Sequence, residues 1–319
     1  MDKKNTNRTP RNGLIAALDL GTTKVTCFIA RPGGREGAKI IGVGHQISRG
    51  LRAGSIVEMD AAEATIRAVV EDAERMAGDN VSSVVVSLSG GAPASRLVSY
   101  EFALGGHEIG DAELCRALDP AWLAGQQGAE RQIVHAIPLA YQVDENSGIR
   151  DPCGMFGTKL GVNMHVMTVA SGARRNLAAC LGRCLLDIEA QVVAPYASGL
   201  ACLVEDERKL GATCIDMGGG TTTLSVFFDR EVVHTDCVPL GGDHVTRDIA
   251  RGLSAPLAYA ERIKTLYGSA IPSPSDDQDF LTVPLVGEEA DAEANRIPRS
   301  VLVGIIRPRI EEILEMVRA

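Results

Sequence analysis

Several stretches in the first 90 residues have the apolar, β-branched composition of strands. Residues 14–30 form two such runs that meet at Gly21, and another run covers residues 39–48. Residues 81–88, VSSVVVSL, form a further run that is apolar enough to lie in a core. Short runs of this kind, bounded by Gly, Pro or Asn, predict β-strands.

A helix is predicted between the last two of these strands. Apolar residues after Asp60 recur three or four positions apart, so they share one face of a helix; they are Ile66, Val69, Val70, Ala73, Met76 and Ala77. Residues 78–80, GDN, supply the glycine and asparagine that end helices. The order of strand, amphipathic helix and strand is typical of an α/β fold.

The pattern changes between residues 89 and 163. Gly-rich turns separate one short helical pattern, near residues 111–118, from extended segments such as QIVHAIPLAYQV. Such a change within an otherwise regular order of elements indicates an inserted domain. We therefore predict a small α+β domain over residues 89–163.

The earlier pattern resumes after the insertion. The sequence VNMHVMTVA predicts a strand, and a helix follows whose apolar face is Leu177, Cys180, Leu181, Cys184 and Leu185. IEAQVVA predicts the next strand and ASGLACLVEDE a single helix. Residues 269–298 are rich in Pro, Ser and acids and predict a solvated loop or hairpin tip; the clustered acids there are Glu288, Glu289, Asp291 and Glu293.

One sequence occurs twice, at residues 17–30 and again at residues 215–226. Both copies, ALDLGTTKVTCFIA and IDMGGGTTTLSV, run from an apolar strand through Asp-x-Gly, small residues and Thr into a second strand. Glycine at such a turn lets backbone N–H groups approach a phosphate, and threonine hydroxyls add donors. The residues that would surround the anion are Asp19, Gly21, Thr22 and Thr23 in the first copy, and Asp216, Gly218, Gly219, Gly220 and Thr221 in the second.

The aspartate in each copy would repel a bound phosphate unless a divalent cation lay between them. Mg²⁺ suits this arrangement because it keeps several waters and binds one or two carboxylates together with phosphate oxygens. We therefore predict that Asp19 and Asp216 hold Mg²⁺ through water. Two matched hairpins predict a duplicated domain that closes on one nucleotide from both sides; the simpler alternative is a pair of ordinary Gly-containing hairpins. The Gly-x4-Gly-Lys-Ser/Thr sequence of P-loop proteins does not occur.

Composition excludes several other classes of function. With a net charge of −9, the chain has no overall basic field for a nucleic acid partner. The eight cysteines form no CxxC pair, which favours free thiols over a metal site. Residues 1–12 are polar and basic and predict a disordered tail without a signal peptide. No run reaches the roughly 18 apolar residues that a membrane-spanning helix needs.

These sequences together resemble the actin, Hsp70 and sugar-kinase ATPase superfamily, and within it the bacterial FtsA family. LDLGTTK, which includes Lys24, resembles the first phosphate loop of the superfamily; IDMGGGTTTLSV resembles the second loop and APYASGLACLVEDERKLG the connecting helix. PLGGDHVTRDIARGL resembles the Gly-Gly segment beside the nucleotide, at Gly241 and Gly242. AERIK resembles the helix whose Glu261 and Lys264 would reach the ribose and the adenine. GTKLGVNMHVMTVA and SVLVGIIRPRIEEILEMV are similar to FtsA in particular, so the resemblance extends from about residue 13 to the end.

The resemblance implies an α/β, actin-like (ribonuclease H-like) fold of duplicated mixed-sheet domains that binds ATP and Mg²⁺. In the nomenclature of that fold, residues 13–88 and 164–194 would form subdomain 1A, and residues 89–163 would form an inserted, 1C-like subdomain. Residues 195–251 would form subdomain 2A. Residues 252–319 would form a small 2B-like subdomain that is incomplete at its C-terminus.

Two departures from the family pattern bear on activity. The ATPases of the superfamily commonly carry Glu or Gln before the proline of the connecting helix to orient the attacking water, and here that residue is Ala194. We expect at most a slow ATPase, with no catalytic residue to assign. FtsA chains also continue past the point that matches Ala319, through a Gly-rich loop and a membrane-binding helix, so we expect a C-terminally truncated chain. The last predicted helix, EEILEMVRA, is too acidic to lie on a membrane.

A member of the FtsA family would be a cytoplasmic cell-division scaffold at the inner face of the membrane. It would link filaments of the tubulin-like protein FtsZ to that membrane, polymerise with itself, and recruit later division proteins through residues 89–163. The FtsZ tail would dock after residue 252, where Arg299, Arg307 and Arg309 offer positive charge to an acidic peptide. The alternative role of these arginines is simple solubility.

Two other functions are compatible with the same fold. A sugar-kinase-like phosphotransferase would need a carboxylate base aimed at the substrate hydroxyl, and Asp243 is the evident candidate. Asp243 is better placed to cap the helix that follows it. A pilus-assembly scaffold would differ mainly in its partners.

Overall fold

The computed structural model describes residues 13–33, 37–119, 128–284, 286 and 295–319. The chain divides into two compact units. The large unit is Met1–Asp216 with Thr223–Cys237, and the small unit is Met217–Thr222 with Val238–Ala319. The predicted tail at residues 1–12 and the acidic cluster at residues 288–293 lie outside the described residues. The sequence analysis divides the chain into smaller subdomains than these two units, and that division stays a prediction.

The large unit is built on a five-stranded mixed sheet with the order β11-β6-β1-β2-β3. Its strands are β1 Ile15–Leu20, β2 Lys24–Pro32, β3 Ala38–Ile47, β6 Ser83–Leu88 and β11 Asp187–Val193. β1, β2 and β3 form an antiparallel meander, whereas β6 and β11 run parallel to β1 and to each other. The predicted strands at residues 14–30, 39–48 and 81–88 are thereby confirmed.

Helix α1, Met59–Ala77, packs closely on this sheet. Its predicted apolar face is buried at Ile66, Val69, Val70 and Ala73, whereas Met76, near the end of the helix, is 63% exposed. β3 carries glycine where it meets the helix, and a Cβ atom on Gly44 would overlap the carbonyl oxygen of Val69. The helix ends at Gly78, whose φ of 73° is a left-handed conformation that glycine adopts easily. A short ribbon, β4 Leu51–Arg52 and β5 Ser55–Ile56, precedes the helix.

A second sheet forms from the residues between β6 and β11. Its order is β7-β10-β8-β9, and every neighbouring pair is antiparallel. The strands are β7 Ala94–Ala103, β8 Arg131–Val143, β9 Asn146–Ile149 and β10 Lys159–Ala170, and helix α2 is Asp111–Ala117. The second sheet and α2 share an apolar core of their own, which includes Leu104, Ile109, Leu160 and Met164. A separate core is the physical basis for treating this sheet as an insertion. The strand predicted from VNMHVMTVA is part of β10 and pairs with β7 and β8, so it belongs to this sheet and not to the pattern that resumes after it.

The remaining helices of the large unit differ from the prediction in two places. Helix α3 is Ser171–Arg183, so the predicted apolar face ends before Leu185, which is 82% exposed at a φ of 61°. The single helix predicted for ASGLACLVEDE is two helices, α4 Ala194–Cys202 and α5 Glu205–Leu210. The side chain of Glu207 accepts a hydrogen bond from the Val204 backbone N–H at 2.9 Å. This contact starts a new helix instead of continuing the old one.

The second copy of the repeated sequence lies in a three-stranded sheet with the order β12-β13-β14. These strands are β12 Ala212–Met217, β13 Thr222–Phe228 and β14 Glu231–Val238. Like β1, β2 and β3, they follow one another directly in the sheet. The repetition of sequence is therefore a repetition of structure.

In the described part of the small unit, three helices pack around one apolar core. The helices are α6 Gly242–Gly252, α7 Leu257–Tyr267 and α8 Arg299–Arg318. β15 Phe280–Val283 pairs antiparallel with β16 Asn295–Pro298. The core includes Val245, Ile249, Ile263, Leu302 and Ile306. Of the helices within the described ranges, none is both long and apolar enough to cross a membrane.

Candidate functional site

The turn between β1 and β2 depends on Gly21. The Gly21 N–H donates a hydrogen bond to the Lys24 carbonyl oxygen at 3.0 Å and closes the turn. A Cβ atom on Gly21 would lie 2.8 Å from that oxygen, closer than real Cβ contacts. The backbone N–H groups of Thr22 and Thr23 lie between these two residues and take no part in the closing bond. The first copy of the sequence therefore forms a tight turn that carries potential anion donors.

The turn between β12 and β13 has the same construction. The Gly218 N–H donates to the Thr221 carbonyl oxygen at 2.9 Å, and a Cβ atom on Gly218 would lie 3.0 Å from it. Gly219 and Gly220 occupy the positions that correspond to Thr22 and Thr23. In both copies the aspartate precedes the turn glycine by two residues. The match therefore extends from residue types to hydrogen bonding.

Neighbouring segments hold the first turn in place. The Gly54 N–H donates to Thr22 Oγ1 at 3.1 Å, and the Ser48 N–H donates to the Thr23 carbonyl oxygen at 3.0 Å. A threonine hydroxyl that accepts a hydrogen bond from a backbone N–H can still donate its own hydrogen to another acceptor. The side chain of Thr22 is therefore fixed with a donor still available.

The two predicted metal ligands influence each other within the large unit. Burial raises the pKa of Asp19, a hydrogen bond from Ser87 lowers it, the charge of Asp216 raises it and Lys24 lowers it, with a net rise. Ser198 on α4 donates from its Oγ to Asp216 Oδ2 at 2.8 Å. Within the described part of the chain, no three His, Cys, Asp or Glu side chains form a metal-binding group. Protein ligands alone would therefore leave most of the coordination shell of a cation to water or to a phosphate.

The start of α6 packs against the second turn. The N–H of Gly242 donates to the Gly218 carbonyl oxygen at 2.9 Å, and the N–H of Asp243 donates to the Gly219 carbonyl oxygen at 2.8 Å. A Cβ atom on Gly241 would overlap the Gly218 oxygen and lie 2.6 Å from the Gly219 oxygen. Glycine is needed here for close approach. The first N–H groups of α6 thus hold the second turn in place.

Asp243 does not cap this helix as predicted. Gly241 is the N-cap residue and forms no side-chain cap bond, while Asp243 lies inside the first turn. His244 Nδ1 instead accepts the Gly241 N–H at 3.1 Å. The capping prediction is wrong because the close contact with the second turn moves the start of the helix back to the Gly-Gly pair.

Lys264 and Glu261 lie together on α7 and reach the start of α6. Lys264 Nζ lies 2.6 Å from Glu261 Oε2, and it donates to Thr246 Oγ1 at 2.9 Å and to the Gly242 carbonyl oxygen at 3.2 Å. Burial alone would raise the pKa of Glu261, but hydrogen bonds from Lys264 and Thr246 outweigh it and lower that pKa. The pair is therefore charged and fixed in position. Its contact with Gly242 joins the predicted ribose-contacting residues to the predicted Gly-Gly segment.

Ala194 is the first residue of α4 and is followed by Pro195. The preceding N–H, of Val193, donates to His135 Nε2 at 3.2 Å. A methyl side chain offers neither a donor nor an acceptor to a water molecule. The position at which the superfamily commonly orients the attacking water therefore has no group for that task.

The three arginines predicted to bind a partner all have ion pairs within the small unit. Arg299 Nη1 lies 3.2 Å from Asp276 Oδ1, Arg307 Nε lies 2.7 Å from Glu311 Oε1, and Arg309 Nε lies 2.6 Å from Asp248 Oδ2. The side chains of Arg299 and Arg309 are 28% and 25% exposed, whereas that of Arg307 is 51% exposed. Of these three, Arg307 is the most accessible to an acidic peptide.

Sequence reasoning missed three residues that contact the predicted site. Ser87 hydrogen-bonds Asp19, Ser198 hydrogen-bonds Asp216, and Thr246 contacts both Lys264 and Glu261. Ser87 could have been found, because β6 was predicted as a core strand and pairs Ser87 with Asp19. The other two depend on how helices pack, for which the sequence carried no signal.

Comparison with known proteins gives the family. Residues 213–314 match the family model described as cell division protein FtsA, and residues 90–168 match the SHS2 domain inserted in FtsA. The chain is 44% identical over 320 residues to the cell division protein FtsA of Rhizobium meliloti strain 1021, covering 97% of this chain and 72% of that protein.

Two solved structures show the fold. A PilM-PilN type IV pilus biogenesis complex matches with a TM-score of 0.64 at 17% identity, covering 95% of this chain and 75% of that one. MreB5 of Spiroplasma citri bound to AMPPNP matches with a TM-score of 0.53 at 15% identity, covering 97% of this chain and 78% of that one. These likenesses confirm the predicted α/β, actin-like fold with its inserted domain. By sequence, the chain belongs to the FtsA family of cell division proteins.

Proposed function

We propose that this chain is an ATP-binding, actin-like scaffold of cell division. The observation that carries the proposal is the repetition of one turn, closed by the same hydrogen bond at Gly21 and at Gly218. Each turn carries backbone donors of the kind that bind phosphate, and each charge-assisted hydrogen bond contributes roughly 1.5–3 kcal/mol. Helix α6 holds the second turn in place, because the N–H groups of Gly242 and Asp243 donate to the Gly218 and Gly219 carbonyl oxygens.

Mg²⁺ fits the residues that are present. Burial and the charge of Asp216 raise the pKa of Asp19. A cation near these two carboxylates would therefore relieve their repulsion. Among the described residues, no third His, Cys, Asp or Glu joins these two carboxylates in a metal-binding group, which suits an ion that retains water and binds phosphate oxygens. When bound, Mg²⁺ would supply positive charge to the phosphates. The role of the chain is to hold Asp216 in place, through the hydrogen bond from Ser198.

Lys264 and Glu261 are proposed to contact the ribose and the adenine. Their side chains are fixed by each other and by Thr246, so little conformational entropy remains to be lost on binding. A carboxylate held in its charged form is a good acceptor for ribose hydroxyl groups.

Nucleotide turnover is proposed to be slow. Ala194 cannot orient an attacking water, and positioning is most of what a protein contributes to phosphoryl transfer. A slow rate suits a scaffold whose assembly responds to the bound nucleotide. The proposed partners are a second copy of the chain, the C-terminal tail of FtsZ, and later division proteins that would bind residues 89–163.

We place the protein in the cytoplasm at the inner face of the membrane, at the division site, where it would link FtsZ filaments to that membrane. The small unit is the proposed docking surface for the FtsZ tail. Arg307 is the preferred contact because its side chain is the most exposed of the three arginines. A binding titration with a synthetic FtsZ tail peptide tests this contact. Arg307→Ala is expected to weaken binding several-fold, and Arg31→Ala, an exposed arginine of the large unit, is expected to leave it unchanged.

Neither alternative function has a specific observation in its favour. For a sugar kinase, Asp243 would have to be free to act as a base, but it lies in the first turn of α6 where its charge favours the helix. For a pilus-assembly scaffold, the likeness to the PilM-PilN complex extends to the fold alone.

A titration of the chain with Mg-ATP tests the proposal, with Asp216→Ala as the site variant and Asp206→Ala as its control. Asp206 is an exposed acid in the first turn of α5, outside both repeated turns. We expect Asp216→Ala to weaken binding at least about tenfold and Asp206→Ala to leave it unchanged. Equal affinity in all three proteins would overturn the assignment. Rapid turnover stimulated by a sugar would favour the kinase instead.

A further inference from the structure

The two carboxylate oxygens of Asp216 have different surroundings. Ser198 Oγ donates a hydrogen bond to Asp216 Oδ2 at 2.8 Å. Within the described part of the chain, Oδ1 accepts no hydrogen bond and joins no ion pair. Asp216 is exposed, so Oδ1 is accessible from solvent. The hydrogen bond therefore restricts the rotation of the carboxylate and leaves one of its oxygens fully open.

Packing fixes the helix that carries Ser198. A Cβ atom on the next residue, Gly199, would overlap the Phe227 ring and lie 2.7 Å from Ser225 Oγ, so the backbone of α4 lies directly on β13. The rings of Tyr196 on α4 and Phe227 on β13 stack with their centroids 6.3 Å apart. Ser198 is itself half-buried. Its hydroxyl is therefore held at a set position against the sheet.

The common divalent cations differ in how they use a carboxylate. Ca²⁺ is large, takes more oxygen ligands and often binds both oxygens of one carboxylate, whereas Mg²⁺ needs an octahedral shell and keeps several of its waters. A cation that used both oxygens of Asp216 would have to compete with Ser198 for Oδ2. A cation or metal-bound water that needs one oxygen can use Oδ1 and leave the hydrogen bond intact.

We propose that Ser198 is a positioning residue through which the site selects Mg²⁺ over Ca²⁺. Ser198 acts on Asp216 and not on the cation, by holding the carboxylate so that one oxygen faces outwards. Removal of a side chain that orients a metal ligand typically lowers metal affinity about 10- to 100-fold. The inference rests on the proposed nucleotide-binding function, because the cation is expected together with the phosphates.

A purely structural role for Ser198 predicts a different result. If its hydrogen bond served only to join α4 to β12, its loss would weaken the Mg²⁺ and Ca²⁺ complexes of the nucleotide equally. If the bond orients Asp216, its loss should weaken the Mg²⁺ complex more than the Ca²⁺ complex, because Oδ2 becomes free for a second contact. The ratio of the two affinities therefore separates the two roles.

Ser225 provides a matched control. Its hydroxyl is buried beneath α4 and has no hydrogen-bond partner among the described residues. Ser225→Ala therefore removes the same atom as Ser198→Ala and alters the packing under the helix, but it leaves the bond to Asp216 in place. Ser198→Thr is the conservative variant, since it retains the hydroxyl.

Calorimetric titration of the full chain with ATP, in the presence of Mg²⁺ or of Ca²⁺, tests the proposal. We expect the unsubstituted chain to bind Mg-ATP more tightly than Ca-ATP, and Ser198→Ala to reduce this ratio of affinities at least about fivefold. Ser198→Thr and Ser225→Ala should each keep the ratio within about twofold of the original. Circular dichroism confirms the fold of each variant.

Several results would overturn the proposal. Equal affinity of the unsubstituted chain for both complexes would show that the site has no such preference. An equal loss for both complexes in Ser198→Ala would limit the hydrogen bond to a structural role. A ratio reduced as much in Ser225→Ala as in Ser198→Ala would assign the effect to helix packing. Absence of binding to the unsubstituted chain with either cation would overturn the proposed function, and this inference with it.

Discussion

Protonation of His165 is expected to make the large unit sensitive to acid. His165 lies on β10 opposite Leu97 and Ile137 and is 0% exposed. Neither ring nitrogen has a hydrogen-bond partner among the described residues. Burial, followed by the nearby His234 and His135, lowers the pKa of His165 from 6.5 to about 4. The imidazole is therefore neutral in the folded protein over most of the acidic range.

The sign and size of the effect follow from this pKa. Above pH 6.5 the residue is neutral in both the folded and the unfolded state and contributes no pH dependence. Below pH 6.5 the unfolded chain binds a proton that the folded chain does not, so the free energy of unfolding falls until pH reaches about 4. Each unit of pKa difference corresponds to about 1.4 kcal/mol, and the whole fall to about 3 kcal/mol.

The assay is urea unfolding at pH 7.5, 6.0, 5.0 and 4.5, for the unsubstituted chain and for His165→Leu. At pH 7.5 we expect His165→Leu to be close to neutral or slightly stabilising, because it removes a buried polar group without a partner. The advantage of the variant should then grow towards acid by up to about 3 kcal/mol. His45→Gln, at an exposed position of β3, is the control and should follow the unsubstituted chain. Parallel pH profiles for His165→Leu and the unsubstituted chain would refute the reasoning.

Three further predictions follow from the geometry of the site and of the small unit. Gly241→Ala should reduce Mg-ATP affinity at least about tenfold, since its Cβ would displace the second turn, whereas Gly304→Ala, with open space around it, should not; a binding titration compares them. Steady-state phosphate release should show ATP turnover far below about 1 s⁻¹, and Ala194→Gln, which supplies a side chain able to orient water, should raise it; a rate above about 1 s⁻¹ in the unsubstituted chain would contradict this. Arg309→Ala should lower the free energy of unfolding by about 1 kcal/mol, because its ion pair with Asp248 is three-quarters buried. Arg307→Ala should change that free energy by less than about 0.5 kcal/mol. Chemical denaturation measures both, and a larger loss for Arg307→Ala would be inconsistent with the ion-pair geometry.

The repeated turns were predictable from sequence because their cause is local. A glycine directly after the first strand of each hairpin lets the turn close without a clash between Cβ and a carbonyl oxygen, and Gly21 and Gly218 occupy this position. The strands around these turns were predictable because their residues either alternate between apolar and polar or form a continuous apolar run. The family resemblance depended on these two turns and on further segments up to SVLVGIIRPRIEEILEMV.

Other features depend on contacts between distant residues and carried no local signal. The break between α4 and α5 is set by one side-chain bond from Glu207 to Val204, and the helical pattern continues across it. The start of α6 is set by its contact with the second turn and not by the aspartate that follows. Ser198 beside Asp216 and Thr246 beside Lys264 required the packing of whole helices. Residue type alone could not have placed them.

The central claim is that both turns hold the phosphates of a nucleotide, and its most direct test is to perturb each turn separately. Gly21→Ala and Gly218→Ala each place a Cβ against a backbone oxygen, at 2.8 Å and 3.0 Å, whereas Gly172→Ala in α3 meets nothing within 4 Å. Calorimetric titration with Mg-ATP should show each turn variant weakened at least about tenfold and Gly172→Ala unchanged, with the fold of all three confirmed by circular dichroism. Full affinity in either turn variant would contradict the account, since that turn would then have no part in binding the nucleotide.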